Sequence, residues 1–107
     1  MFQTLFNNKS KIQIQAIRLD PNDASAYNNR GNAYFNKGDY DRAIADYTQA
    51  IRLDPNDAVA YNSRGNVYYN KRDYNRAIAD YEVALRLDPN YTEAKQNLED
   101  ARRARGR

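Results

Sequence analysis

The sequence predicts an all-α protein built as a helical repeat. Three observations support this fold class: a fixed 34-residue period, apolar residues at helical spacing within each period, and helix-ending residues between the segments. The prolines Pro21, Pro55 and Pro89 lie 34 residues apart, each within the run Arg-Leu-Asp-Pro-Asn. Segments 22–55 and 56–89 are identical at 25 of 34 positions. A fixed period of this length indicates a stacked array of similar units.

Each period is predicted to hold two helices. In the first, Tyr27, Gly31 and Tyr34 follow one another at i, i+4 and i+7 and therefore share one stripe. In the second, at 40–53, the stripe is formed by Ala43, Ile44, Tyr47, Ala50 and Ile51. The small residues are predicted to lie where helices approach closely. We interpret the tyrosines as repeat core rather than as a stacking site for a cofactor.

Turn residues separate the helices. Gly38 suits the left-handed position that ends a helix, and Asp39 suits the start of the next one. The Asp-Pro step at Pro55 ends the second helix, because the residue before a proline avoids helical geometry. Asp23 and Asp57 are predicted N-caps. The second repeat has Arg72 in place of the turn glycine, and we expect slight strain there.

This pattern resembles the tetratricopeptide repeat (TPR) family. The matching residues are Tyr27, Gly31, Tyr34, Ala43, Tyr47, Ala50 and Pro55, and then Tyr61, Gly65, Tyr68, Ala77, Tyr81, Ala84 and Pro89. The resemblance covers 22–98, with 15–21 as the end of an earlier repeat. It implies a right-handed superhelix whose first helices line a concave groove. It also implies a scaffold for protein–protein interaction that binds a protein or peptide, without naming the partner.

The period divides a single domain, 1–107, into four parts. A truncated repeat at 1–21 precedes two full repeats, 22–55 and 56–89, and a capping helix with a basic tail follows at 90–107.

Two departures from the family pattern occur together in both full repeats. Arg30 and Arg64 stand where the family usually has an apolar residue, and Asp46 and Asp80 stand where its second helix usually has an apolar or aromatic one. We predict ion pairs between the helices, Arg30 with Asp46 and Arg64 with Asp80. The alternative is two solvated side chains that face away from each other.

By resemblance, the peptide-binding groove is lined by Asn28, Asn32, Phe35, Asn36, Asn62, Asn66, Tyr69 and Asn70. Carboxamides both donate and accept hydrogen bonds, so they can hold a peptide backbone without reading its sequence. The alternative is that asparagine is merely the surface residue of this repeat. The basic clamp with which one subclass binds chaperone tails is not matched: Asn32 fits it, but Asn28, Glu93 and Asn97 replace its basic residues. The groove is therefore predicted to be uncharged.

The N-terminal end is predicted to need a cover. Ile12, Ile14 and Ile17 lie on the second helix of a repeat whose first helix is cut short. Repeat arrays bury each unit on a neighbour. We therefore expect a homodimer or small homo-oligomer that contacts through these isoleucines. The alternatives are open head-to-tail stacking and a monomer in which 1–8 fold back.

Composition limits the chemistry. The chain has no histidine and no cysteine, which removes the commonest general base, nucleophile and metal ligands. We predict no catalytic residue, cofactor or metal, and no enzyme activity. No apolar run is long enough to span a membrane, and a cytoplasmic protein is expected. The net charge of +3 arises from the last six residues, which hold four arginines. Nucleic-acid contact through them is the less favoured rival, as is an adaptor that works only through its ends.

Overall fold

Five α-helices make up residues 20–107, the part of the chain that the computed structural model describes. In chain order they are α1 (Ala24–Asn36), α2 (Tyr40–Leu53), α3 (Ala58–Asn70), α4 (Tyr74–Leu87) and α5 (Thr92–Arg105). They confirm the predicted all-α repeat fold. Ile12, Ile14 and Ile17 lie outside the described residues, so their role in end-to-end contact stays a prediction.

Aspartate side chains start four of these helices. Asp23 caps α1 by accepting hydrogen bonds from the backbone N–H groups of Ser25 and Ala26, and Asp57 repeats this bond pattern at α3. Asp39 and Asp73 accept from the third residue after them, at α2 and α4. Each bond satisfies an N–H group that has no partner inside the helix, which fixes where the helix begins.

The two repeats turn from first to second helix through a left-handed residue. Gly38 has φ of 80° and Arg72, at the same place in the second repeat, has φ of 64°. A side chain beyond Cα makes this conformation unfavourable by about 1–2 kcal/mol. A methyl group placed at Gly38 would meet nothing within 4 Å, so the cost at this turn is backbone strain and not a clash.

Replacing Arg72 with glycine is expected to raise the free energy of unfolding by about 0.5–1 kcal/mol. The expected gain is the strain energy that is relieved, minus the free-energy cost of the greater backbone entropy that glycine has in the unfolded chain. Urea denaturation followed by circular dichroism measures it. The reciprocal change, Gly38→Arg, should cost a similar amount; equal stability of all three proteins would refute the strain.

The packing order of the helices sets the curvature of the array. Each helix packs against the next along the chain, and in addition α1 contacts α3 and α3 contacts α5, while α2 and α4 do not touch. Because the first helices of successive units contact one another and the second helices do not, the first helices form the inner side of the curve. This face, made by α1, α3 and α5, is called the groove below.

One buried tyrosine holds the two helices of each repeat together. Tyr47 lies across Gly31, and Tyr81 lies across Gly65 in the same way. A Cβ atom at either glycine would come within 2.8 Å or less of a ring carbon, so the helices can approach this closely only because glycine is there. Burial raises the pKa of Tyr47 to about 12, although a hydrogen bond with Ser63 acts the other way.

The tyrosines of the first helix are less buried than predicted. Tyr27 and Tyr34 are half-buried, and Tyr34 borders a core cluster formed by Ala43, Tyr47 and Val67. The Arg30 guanidinium lies over both rings, 5.8 Å from the centre of Tyr27 and 5.7 Å from that of Tyr34. Both tyrosines are therefore held by a cation–π contact with the arginine and by partial burial, not by full burial.

Both predicted ion pairs are present. Arg30 donates to the two Asp46 carboxylate oxygens at 2.7 Å each, and Arg64 donates to those of Asp80 at 2.9 and 2.8 Å. Asp46 and Asp80 are each only 5% exposed. The two-pronged geometry satisfies both carboxylate oxygens, which a buried charge requires.

Candidate functional site: the groove

The groove residues lie on one stripe of each first helix. On α1 the stripe holds Ser25, Asn28, Asn32 and Asn36; on α3 it holds Val59, Asn62, Asn66 and Asn70; on α5 it holds Glu93, Gln96, Asn97 and Asp100. Residues three or four apart share a helix face, so each stripe runs along its helix, and the three stripes lie side by side where α1, α3 and α5 meet.

The eight residues predicted to line the groove differ in accessibility. Asn32, Asn36 and Asn70 are exposed; Asn28, Phe35, Asn66 and Tyr69 are half-buried; Asn62 is buried. Asn62 is only 2% exposed, so its side chain lies beneath the groove surface and is not accessible to a ligand. Phe35 and Tyr69 contact rings of the next helix: Phe35 lies tilted against Tyr40 at 5.6 Å and Tyr69 lies edge to face with Tyr74 at 5.5 Å between ring centres.

The core tyrosines reach the groove asparagines. The Tyr47 hydroxyl donates to the Asn32 Oδ1 atom, and the Tyr81 hydroxyl donates to the Asn66 Oδ1 atom at 2.6 Å. These carboxamide oxygens therefore satisfy the two tyrosine hydroxyls, because a buried hydroxyl needs a hydrogen-bond partner. The Nδ2 groups of Asn32 and Asn66 have no hydrogen-bond partner within residues 20–107.

One side chain joins the second repeat to the capping helix. The Asn97 Nδ2 group donates to Asn62 Oδ1 at 3.1 Å and to Asn66 Oδ1 at 3.2 Å. This bridge explains the burial of Asn62. Burial raises the pKa of Tyr91, and nearby Glu93 adds to the rise, while a hydrogen bond with Asn62 opposes it.

The corresponding junction between α1 and α3 lacks this bridge. One period before Asn97 the chain has Ser63, whose side chain is two heavy atoms shorter. Asn28 donates from Nδ2 to the Asp57 carboxylate at 3.0 Å, but its buried Oδ1 atom accepts no hydrogen bond from residues 20–107. The two junctions of the groove therefore differ in polarity and closure, although the helices repeat.

The groove deepens into a pocket of about 90 Å³ between α3 and α5. It is lined by Asn66, Tyr69, Asn70, Tyr81, Asn97 and Asp100. The lining combines two tyrosines, three carboxamides that can donate and accept hydrogen bonds, and one carboxylate. Concave sites that combine apolar surface with a few polar groups are the usual place for a ligand.

Comparison with protein families matches three overlapping segments of the chain. Residues 14–45 and 58–91 match the description "Tetratricopeptide repeat", and residues 31–72 match "TPR repeat". Together these segments cover 14–91. The chain belongs to the tetratricopeptide repeat family. A search of curated proteins gave no match.

Solved structures of other TPR domains have the same fold. The first TPR of Spaghetti (RPAP3), bound to the HSP90 peptide SRMEEVD, aligns over 98% of this chain and 83% of that chain, with a TM-score of 0.92 and 27% identity. The Arabidopsis OM64 TPR domain aligns over 94% and 84%, at 0.88 and 29%. The first TPR domain of human RPAP3, solved by NMR, aligns over 97% and 82%, at 0.91 and 27%. The TPR fold makes this chain a scaffold for protein–protein interaction.

Three groove features of this TPR domain escaped the sequence analysis. From sequence, Asn97 is predicted only to replace a clamp residue, and Asp100 only to lie in the capping helix at 90–107, yet both line the pocket. Val59, a 56% exposed apolar residue, lies on the α3 stripe before Asn62 and Asn66. The helical spacing of 93, 96, 97 and 100 on α5 is the signal that could have found the α5 stripe.

The C-terminal arginines belong largely to the TPR capping helix. Arg103 donates to the Asp100 carboxylate at 2.7 Å, Arg105 donates to Asn75 at 3.3 Å, and Arg102 lies 3.8 Å from Glu82. Three of the four, Arg102, Arg103 and Arg105, lie on the helix itself, since α5 is helical through Arg105. Their positive charge at the helix C-terminus also suits the helix dipole.

Residues 20–107 contain neither a membrane-spanning helix nor a cluster of metal-ligating side chains. No helix there is both long and apolar enough to cross a membrane. No group of three or more acidic, histidine or cysteine side chains in that range could hold a metal ion.

Proposed function

We propose that the groove binds an extended peptide segment of a partner protein. The observation that carries this proposal is an available donor and an available acceptor, the Asn66 Nδ2 group and the Asn97 Oδ1 atom, on two neighbouring residues of the pocket wall. Neither has a partner within residues 20–107, and the 3.2 Å bond between the two side chains holds them together. Each residue of a peptide backbone offers one N–H and one C=O group, so it complements this pair whatever its sequence.

The surroundings of this pair also suit a peptide. Tyr69 and the exposed Val59 offer apolar surface on the same helix. The Asn32 Nδ2 group, one repeat earlier, offers a second donor to the same extended chain. The Spaghetti TPR domain carries a peptide in its solved structure, which supports a ligand of this general type for a domain of the same fold.

The proposal is tested with a library of random 12-residue peptides displayed on phage and selected on the protein. Peptides that bind are synthesised and titrated into ¹⁵N-labelled protein. The Asn32, Asn66 and Asn97 side-chain NH₂ signals are expected to shift, while those of Asn22 and Asn56, in the turns between repeats, should stay in place.

A donor-removing variant gives the matched binding test. Asn66→Asp keeps the oxygen that accepts from Tyr81 and Asn97 but removes the Nδ2 donor. We expect about fivefold weaker binding at 0.5 M salt, where the added charge is screened, because one hydrogen bond contributes roughly 1 kcal/mol. Asn56→Asp makes the same change in a turn and should leave affinity unaltered. Selected peptides that bind both variants equally and shift signals of α2 and α4 would refute groove binding; a library that yields no binder would favour an adaptor working through its ends.

A further inference from the structure

We infer that the pocket between α3 and α5 receives a lysine or arginine side chain of the bound peptide, an inference that rests on the proposed peptide-binding function. The Tyr69 ring and the Asp100 carboxylate line the same space of about 90 Å³. Lysine and arginine combine an apolar stem with a cationic head. The stem would pack on the Tyr69 ring while the head meets the carboxylate.

The Asp100 carboxylate retains one available oxygen. Its Oδ1 atom accepts from the Gln96 Nε2 group at 3.1 Å and from the Arg103 guanidinium at 2.7 Å. Its Oδ2 atom accepts no hydrogen bond from any residue in 20–107. The Asp100 and Arg103 side chains are 42% and 64% exposed. An exposed ion pair of this kind contributes little to stability. Arg103 therefore competes only weakly with a cationic side chain of the peptide that binds at Oδ2.

The charge along the groove also favours a cation. The stripes of α1 and α3 contain no ionisable residue, and the α5 stripe contains two carboxylates, Glu93 and Asp100, and no basic residue. Burial raises the pKa of the Tyr81 hydroxyl most. The negative charges of Asp100 and Glu93 raise this pKa further, which places both carboxylates within electrostatic reach of the hydroxyl. Their combined field attracts a cationic side chain and repels an acidic one. This corrects the expectation of an uncharged groove.

The test uses the peptides selected on the protein, with each lysine replaced in turn by norleucine and each arginine by citrulline. These replacements keep the stem and remove the charge. At one position we expect about tenfold weaker binding to the wild-type protein, measured by fluorescence anisotropy at 50 mM salt. Asp100→Asn retains the Oδ1 acceptor, and against this variant the same peptide change should alter affinity less than twofold.

Glu99→Gln is the matched control, because it removes one negative charge from the neighbouring, exposed position of α5 outside the groove stripe. It should leave the tenfold preference intact. Thermal melting of both variants verifies that α5 remains folded.

Three results would overturn the inference. If groove-bound peptides lack lysine and arginine, or if Asp100→Asn and Glu99→Gln change affinity equally, the inference fails while the proposed peptide-binding function stands. If no selected peptide shifts the groove asparagine signals, the proposed function fails and the inference fails with it.

Discussion

Replacing Arg64 with leucine is expected to lower the free energy of unfolding by about 3–5 kcal/mol, because the change leaves the buried Asp80 carboxylate without its cation. Asp80 is 5% exposed, and Arg64 supplies both of its charged hydrogen bonds. Arg64 also donates to the Thr48 hydroxyl at 3.2 Å, a bond from the second repeat to the first. The loss should appear in urea denaturation followed by circular dichroism.

The double variant Arg64→Leu with Asp80→Leu tests whether the unpaired Asp80 carboxylate causes the loss of stability. When both charges are removed together, no buried charge is left unpaired, and such exchanges are often neutral or stabilising. The double variant should therefore recover most of the loss. Arg30→Leu should cost less than Arg64→Leu, since the Arg30 side chain is 25% exposed against 19% for Arg64, and within residues 20–107 Arg30 donates hydrogen bonds only to Asp46.

The pH dependence gives an independent measurement of the same effect. Burial raises the pKa of Asp80 above its ordinary value of 3.8, and the hydrogen bond from Arg64 opposes this rise. Without Arg64 this hydrogen bond is lost. The Asp80 carboxyl of the folded protein then takes up its proton at a higher pH than that of the unfolded chain. The Arg64→Leu deficit should therefore be largest near neutral pH and shrink as pH falls toward 3.8. A deficit that stays constant with pH, or a double variant as unstable as the single one, would contradict a buried unpaired charge.

Features that recur within each period were predictable from sequence. The aspartate caps depend on residues within four positions of each helix start, and the left-handed turn depends on one residue, so local chemistry decides both. The ion pairs were predictable because Arg30 with Asp46 recurs as Arg64 with Asp80. Such coupled departures indicate contact between the two helices of one repeat.

The groove was harder to predict because its details depend on where the repeats differ. Asn97 stands where the preceding repeat has Ser63, and this difference joins α5 to α3 through Asn62 and Asn66. Periodicity predicts an equal role for corresponding residues, and therefore gave Asn28 and Asn62 the same exposure. Contacts between repeats, made by long side chains, decide which asparagine is buried.

Burial of the core tyrosine on glycine leads to the second large expected effect. Gly65→Ala should lower the free energy of unfolding by about 1–2 kcal/mol. The new Cβ atom would come within 2.7 Å of a Tyr81 ring carbon, and Tyr81 is only 1% exposed, so the ring has little room to move. Overpacking costs about 1–3 kcal/mol, against which alanine gains up to about 1 kcal/mol of helix propensity.

A second substitution separates steric clash from other causes. The clashing atoms are carbons of the ring, so Tyr81→Phe in the Gly65→Ala background keeps the clash and should not relieve it. Tyr81→Leu removes the ring edge, and its cost should therefore be smaller in that background than in the wild-type protein. Gly106→Ala is the control, because a Cβ atom there would lie 3.5 Å from its nearest neighbour, and its stability should stay within about 0.5 kcal/mol.

The same variant links the core to the groove. The Tyr81 hydroxyl donates to Asn66 at 2.6 Å, so a displaced ring would also move the carboxamide proposed to hold the peptide backbone. Gly65→Ala should therefore shift the Asn66 and Asn97 side-chain NH₂ signals, whereas Gly106→Ala should not. If Gly65→Ala left both the free energy of unfolding and these signals unchanged, the close approach of Tyr81 to the α3 backbone would be wrong, and the orientation of Asn66 would need another cause.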